Sequence, residues 1–243
     1  MSPTTDLLIT PEDYASIDGI ADRAELAESY GFEYVSMGET SGWNVVPALS
    51  VIAERTDELG ITDDVLSPYS RAPTTIAQVA LTLHDVSGGR FRLGLGTSSP
   101  AIAESWHGQS FDRPLRRVRE TIEIVREVAD GGRVDYDGDI YDIGGLKYEC
   151  DPPETPPPVD VAGFGPKSTE LTGRFADGWI PQLLTPSGLR DRLADLRRGA
   201  ELGDRDPDDI RVSPILRCCA TDNRAEAREL ARSHIAFFLG AYG

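Results

Sequence analysis

The stretch Pro158–Trp179, PVDVAGFGPKSTELTGRFADGW, decides how the chain is read. Val159, Val161 and Ala162 make a short apolar run of the kind that forms a buried strand. The run breaks at Gly163-Phe164-Gly165-Pro166, and a helix is expected from Lys167, because proline suits the first helical position, where a missing N–H costs nothing. Glycines just before it let the backbone approach a ligand closely. A strand, a glycine turn and a bare helix N-terminus make an anion site: the first N–H groups are unpaired and the helix dipole favours negative charge. Lys167 adds a full positive charge in a chain whose only other lysine is Lys147. Alone, G-x-G before a helix more often marks an ordinary tight turn, so the neighbouring segments have to decide.

Upstream, Phe91–Leu95 is an apolar strand that runs into Gly94-Leu95-Gly96-Thr97-Ser98-Ser99-Pro100, and an amphipathic helix follows from Pro114 to Ala129. Arg133–Tyr148 reads instead as a β-hairpin excursion, with short alternating runs around a Tyr-Asp-Gly-Asp turn. Further back, strands are expected at Asp6–Thr10, Phe32–Met37 and Ile61–Ser67, and helices at Ile17–Tyr30, Val45–Leu59 and Thr74–Val86. Asp63 and Asp64 are an awkward pair for a buried strand. Downstream come a strand at Trp179–Leu184, a helix at Ser187–Leu202, a strand at Ile210–Ala220, and a helix from Asp222 onward with Asp222 and Asn223 competing as its cap. This alternation with short loops implies a parallel sheet, and so many repeats favour a closed α/β barrel over an open doubly wound sheet. Ligands would then sit at the strand C-termini, where Gly38–Trp43, Gly94–Ser99 and Gly163–Pro166 all fall.

Composition narrows the function. The chain has 243 residues, enough for one large domain, with 41 acidic against 24 basic side chains and a formal charge of −17. That sign excludes a nucleic-acid binder. The acids are spread through every segment and lysine is nearly absent, a pattern expected of a halophilic cytoplasmic protein whose self-repulsion is screened by concentrated salt. No apolar run approaches the ~18 residues of a membrane span, and the N-terminus lacks a secretory pattern. The three cysteines, Cys150 and the adjacent Cys218-Cys219, show no metal-binding spacing, so no structural metal is expected and a reducing compartment is.

Four segments in register resemble the luciferase-like monooxygenase superfamily, in its coenzyme F420-dependent branch: Ser67-Pro68-Tyr69-Ser70-Arg71-Ala72-Pro73, Ser87–Gly96, Ala162-Gly163-Phe164-Gly165-Pro166-Lys167, and Gly173–Trp179. The likeness runs from about Gly31 to Trp179 and resembles most the methylene-tetrahydromethanopterin reductases and the glucose-6-phosphate and alcohol dehydrogenases of this branch, in a haloarchaeal version. It implies a (β/α)8 TIM barrel of the luciferase-like type in a single domain over 1–243, with a hairpin insertion about 131–157. The resemblance further implies that Gly163, Phe164, Gly165, Pro166 and Lys167 hold the cofactor phosphate, and that Thr97 and Ser98 line the same channel. Asp64-Val65 falls where deazaflavin members carry a bulge with a non-prolyl cis peptide behind the ring; read from its residues alone, Asp64 is equally a solvated loop carboxylate.

The segment Gly38-Glu39-Thr40-Ser41-Gly42-Trp43 departs from the pattern of the family's dehydrogenases, which place a histidine four residues before a tryptophan where this chain has Glu39 and Trp43. A carboxylate there could shuttle a proton if burial raised its pKa toward neutrality; the plainer reading is a hydrogen bond to the barrel rim. Trp43 would stack on substrate or cap the barrel mouth. Ser99 replaces the glutamate of the sugar-phosphate dehydrogenases, and His84 and His107 read as structural or exposed. The expected function is hydride transfer between a deazaflavin (coenzyme F420) and a small organic substrate. The alternatives are an FMN-dependent monooxygenase acting on paired donors with oxygen, and a non-catalytic flavin-binding partner subunit. Only seven barrel strands are counted before the chain stops, so a barrel lacking its last strand and helix is expected. The open seam and a Phe237/Phe238 patch would then be covered by self-association, as in a homodimer.

Overall fold

A computed structural model describes residues 4–10 and 14–242. The main sheet is built from β1 (Leu7–Ile9), β2 (Tyr34–Met37), β3 (Gly60–Asp63), β4 (Phe91–Gly96), β7 (Val159–Ala162), β8 (Gly178–Ile180) and β9 (Arg211–Val212). These seven strands lie in the order β1-β2-β3-β4-β7-β8-β9, and every pairing between neighbours is parallel. Between them run the helices α1 (Ile17–Ser29), α2 (Val45–Arg55), α3 (Pro73–Val86), α4 (Pro114–Ala129), α5 (Pro166–Phe175) and α6 (Pro186–Leu202), with α7 (Arg224–Tyr242) last. Local chemistry starts them. The Ser16 hydroxyl caps α1, Asn44 caps α2 and Thr185 caps α6, while α3, α4 and α5 open on proline. Asn223 wins the cap of α7, its carboxamide accepting the Ala225 and Glu226 N–H groups.

Alternation along the strands divides the molecule. Val35, Met37, Ile61, Leu93, Leu95, Val159 and Val161 are buried in the core shared with the helices. The residues between them face the sheet interior and are small or polar: Ser36, Thr62, Gly94, Gly96 and Ala162, with Arg92 and Asp160 as a buried ion pair (Nε–Oδ2 2.8 Å). Asp63 and Asp64 resolve in different ways. Asp63 is buried in β3 and accepts the Leu66 N–H at 2.6 Å and the Gly94 N–H at 2.9 Å, whereas Asp64 turns out beyond the strand.

β5 (Arg133–Asp137) and β6 (Asp142–Lys147) form a separate antiparallel hairpin. Its turn is anchored by the buried Glu120 of α4, which accepts the N–H groups of Asp139, Ile140 and Tyr141. The Arg117 guanidinium lies over Tyr141 and over Tyr69, tying the hairpin to the Ser67–Pro73 loop.

The seam between the outer strands differs in detail from the sequence expectation. β9 stops at Val212 instead of running to Ala220. The Ser213 and Ile215 N–H groups still bond to Trp179 and Pro181, but Pro214 has no N–H, and residues 216–220 are exposed. β1 and β9 are not paired with each other; Arg211 instead reaches Asp6 across the gap at 2.6 Å and lies over the Tyr34 ring. Leu230 and Ile235 of α7 are exposed; the side chains of Phe237 and Phe238, expected as a patch, lie outside the described residues. Among the described residues no helix is long and apolar enough to cross a membrane.

Candidate active site

A cavity of about 220 Å³ opens at the C-terminal ends of the strands. Gly38, Glu39 and Thr40 reach it from β2, Asp64 and Val65 from β3, Ser98 from β4, Ala162 from β7 and Gln182 from β8. Ser67 and Ser70 of the Ser67–Pro73 loop, His107, and Arg217 of the segment after β9 complete the wall. His107 arrives by a route the sequence did not suggest: the loop expected after β4 winds into a π-helical turn, Ala101–Trp106, with His107 at its end. Ser99 is buried and its hydroxyl accepts the Ile102 N–H at the start of that turn. His84 is buried away from the cavity, its ring nitrogen on the Phe91 carbonyl.

The Asp64–Val65 peptide bond is cis. Asp64 donates its N–H to the Met37 carbonyl at 2.9 Å, which ties the bulge to the end of β2. Val65 rests against β4, where only glycine leaves room: a Cβ on Gly96 would lie 2.4 Å from a Val65 methyl. Burial pushes the Asp64 carboxyl up to about 6; the Arg217 charge opposes this and Asp160 adds to it.

Glu39 departs from expectation. Burial does push its pKa up, but the Arg71 hydrogen bonds and charge, the Val45 N–H and the charge of His107 outweigh it, and the carboxyl stays below its ordinary value. Arg71 grips it with both guanidinium nitrogens, Nη2 to Oε2 at 2.8 Å and a shorter contact from Nη1 to Oε1, and the Val45 N–H at the start of α2 adds a third bond at 3.2 Å. A carboxylate so held stays ionised through the neutral range, so the raised pKa expected for a proton shuttle is corrected here. Arg71 was legible only as part of the Ser-Pro-Tyr-Ser-Arg-Ala-Pro segment, not as a site residue. Trp43 does not line the cavity: it is 40% exposed and its indole N–H donates to the Tyr14 carbonyl at 3.3 Å. Thr97 also stands outside, its hydroxyl on the Ser98 carbonyl, while Ser98 itself lines the wall with φ 60°.

Beside the cavity, Ala162 leads into the glycine turn. α5 begins at Pro166 with no side chain capping it, and Lys167 is exposed in its first turn. The two glycines differ. A Cβ on Gly163 would strike the Ser168 side chain at 2.7 Å, and the Gly163 carbonyl accepts the Trp179 indole N–H at 2.8 Å. Gly165 has φ −85°, a conformation open to any residue, and a Cβ would meet only Ser168 Oγ at 3.7 Å. Its lack of a side chain therefore keeps open the space in front of the helix N-terminus. Such a donor set suits a phosphate: backbone N–H groups, one lysine and an uncapped dipole.

Comparison with known proteins agrees with this layout. Residues 4–242 match the sequence profile of the luciferase-like monooxygenases. A Mycobacterium tuberculosis protein named as a coenzyme F420-dependent oxidoreductase is 32% identical over 240 residues, covering 92% of this chain and 68% of the relative. The 5,10-methylenetetrahydromethanopterin reductase of Methanolobus tindarius is 29% identical over 221 residues, 90% of this chain and 67% of the relative. The fold superposes on the coenzyme F420-dependent tetrahydromethanopterin reductase of Methanopyrus kandleri with a TM-score of 0.83 at 22% identity, over 97% of this chain and 72% of that one. The chain thus spans about two thirds of the length of the curated relatives it matches.

Proposed function

The chain belongs to the luciferase-like monooxygenase family, and from that premise we propose that it is an oxidoreductase that holds coenzyme F420 at the open end of its sheet and serves hydride transfer to or from a small organic substrate. The observation that carries the reading is the uncapped start of α5, opened by Gly165 and placed directly after Ala162 of the cavity wall. When bound, the deazaflavin would supply the carbon that accepts or returns hydride. Gly163, Phe164, Gly165, Pro166 and Lys167 would hold its phosphate, and Asp64, Val65 and Ser98 would face it across the cavity. Glu39 and Arg71, locked on each other, would orient a substrate through the oxygen lone pairs and N–H groups left over. The relative and the structural neighbour named for F420 favour that cofactor over FMN.

The spread of negative charge supports work in concentrated salt, and three exposed free cysteines support a reducing cytoplasm. The test is cofactor binding by the protein purified in high salt: fluorescence titration with F420 and, separately, with FMN. Tighter binding of F420 is expected; binding of FMN alone would overturn the cofactor reading.

A further inference from the structure

Hydride transfer leaves a proton to be managed: when a carbinol or amine carbon gives up hydride, the proton on its oxygen or nitrogen must go to a base as the C=O or C=N bond forms. Among the described residues the cavity has two lining carboxylates, Glu39 and Asp64, with Asp63 and Asp160 buried close to Asp64. Three of these four are committed. Glu39 is clamped by Arg71 and the Val45 N–H, Asp63 has one backbone N–H on each oxygen, and Asp160 is paired at both oxygens with Arg92. Asp64 takes no side-chain hydrogen bond from another described residue. Its backbone, by contrast, is pinned: its N–H bonds to Met37, and its carbonyl abuts Gly38, where a Cβ would come within 2.9 Å.

We propose that Asp64, and not Glu39, is the proton-exchanging carboxyl of this cavity, with Arg217 as the charge that sets its proton affinity. The inference rests on the F420 reading above. In substrate oxidation the two electrons leave with the hydride to F420, the substrate O–H or N–H proton passes to an Asp64 Oδ, and the bonding pair it leaves forms the new π bond; reduction runs the same transfer backward. The charged groups around Asp64 agree. Arg217 on the segment after β9 favours the carboxylate, and Asp160 on β7, itself paired with Arg92, opposes it; burial holds the adjacent Asp63 up at about 8, so it stays protonated while Asp64 titrates. Glu39 and Arg71 cancel across the cavity, and His107 stands on the Glu39 side. Burial, the largest effect, and the Asp160 charge raise Asp64 while Arg217 holds it down, which leaves it at about 6, where both protonation states are within reach at neutral pH.

The test needs no substrate. Infrared difference spectra are recorded between protein loaded with oxidised F420 and protein loaded with borohydride-reduced F420, across pH 5 to 8. A protonated-carboxyl band that changes with the redox state is expected, absent in Asp64→Asn and retained in Glu39→Gln. In Arg217→Gln the pH midpoint of the band should rise by about one unit, the size expected for loss of one nearby opposite charge. Persistence of the band in Asp64→Asn, its loss in Glu39→Gln, or an unmoved midpoint in Arg217→Gln would overturn the proposal. If wild type binds F420 but shows no such band, only the role of Asp64 falls; if F420 does not bind at all, the cofactor reading falls with it.

Discussion

Replacing Arg71 with alanine tests the clamp that joins the end of β2 to the Ser67–Pro73 loop. Both side chains of the Arg71–Glu39 pair are mostly shielded from water, 14% and 15% exposed. Arg71→Ala leaves Glu39 with one backbone donor, Val45, in a site whose burial already disfavours charge. Removing one partner of a buried pair costs about 3–5 kcal/mol, and partial exposure argues for the low end, about 3 kcal/mol. In a chain of this size 1 kcal/mol moves the melting temperature by about 2–4 °C, so a fall of about 6–12 °C is expected. The pH dependence follows from the sign of the shift. The folded pKa of Glu39 lies below its ordinary 4.5, so the stabilisation is full above that value and is lost as pH falls through the folded pKa. Melts followed by circular dichroism should therefore show the full gap between wild type and Arg71→Ala at pH 7.5, and a gap that narrows as pH falls through the folded pKa of Glu39. Adding Glu39→Gln to Arg71→Ala should recover part of the loss at pH 7.5, because no unpaired charge remains buried. A variant that melts within about 1 °C of wild type at pH 7.5, or a gap that persists undiminished in acid, would refute the reasoning.

Gly165→Val should fold normally, since φ −85° and ψ 156° are open to valine and its Cβ meets only Ser168 Oγ. Its F420 affinity should fall at least tenfold, about 1.4 kcal/mol, because the side chain occupies the space before the helix N–H groups; unchanged affinity in a titration would remove the anion site. Salt should stabilise the protein: with a formal charge of −17, the melting temperature is expected to keep rising from low to molar KCl, and a flat profile would reject adaptation to salt.

Much of the scaffold was legible because its signals are local. Ser16, Asn44 and Thr185 start helices through their own side chains, and Pro73, Pro114 and Pro166 do so through a fixed φ. Phe91, Leu93 and Leu95 of β4 and Val159 and Val161 of β7 are buried as their apolar character announces, and most residues between them are buried as well. The glycine turn before α5 was readable as an anion site for the same reason, although Gly165 serves it by leaving space and not by adopting a positive φ. What stayed open in the sequence shares a cause. Glu39 admitted either a raised pKa or a rim hydrogen bond, and the guanidinium that decides it lies 32 residues away. Trp43 looked directed at the barrel mouth but is held by Tyr14, 29 residues earlier.

The sequence by itself determined the order of strands and helices, the strand ends that carry the site, and the family, because propensity, capping and glycine turns act within a few residues. Only the tertiary structure decided which carboxyl has its oxygens taken by backbone donors and which faces the cavity. Asp63 and Asp64 are identical in the sequence, but one oxygen of Asp63 is satisfied by the Gly94 N–H, 31 residues on, while Asp64 faces Arg217 across the cavity. Proton affinity depends on which dipoles and charges the closing sheet brings within a few ångströms, and those distances exist only once the chain has folded.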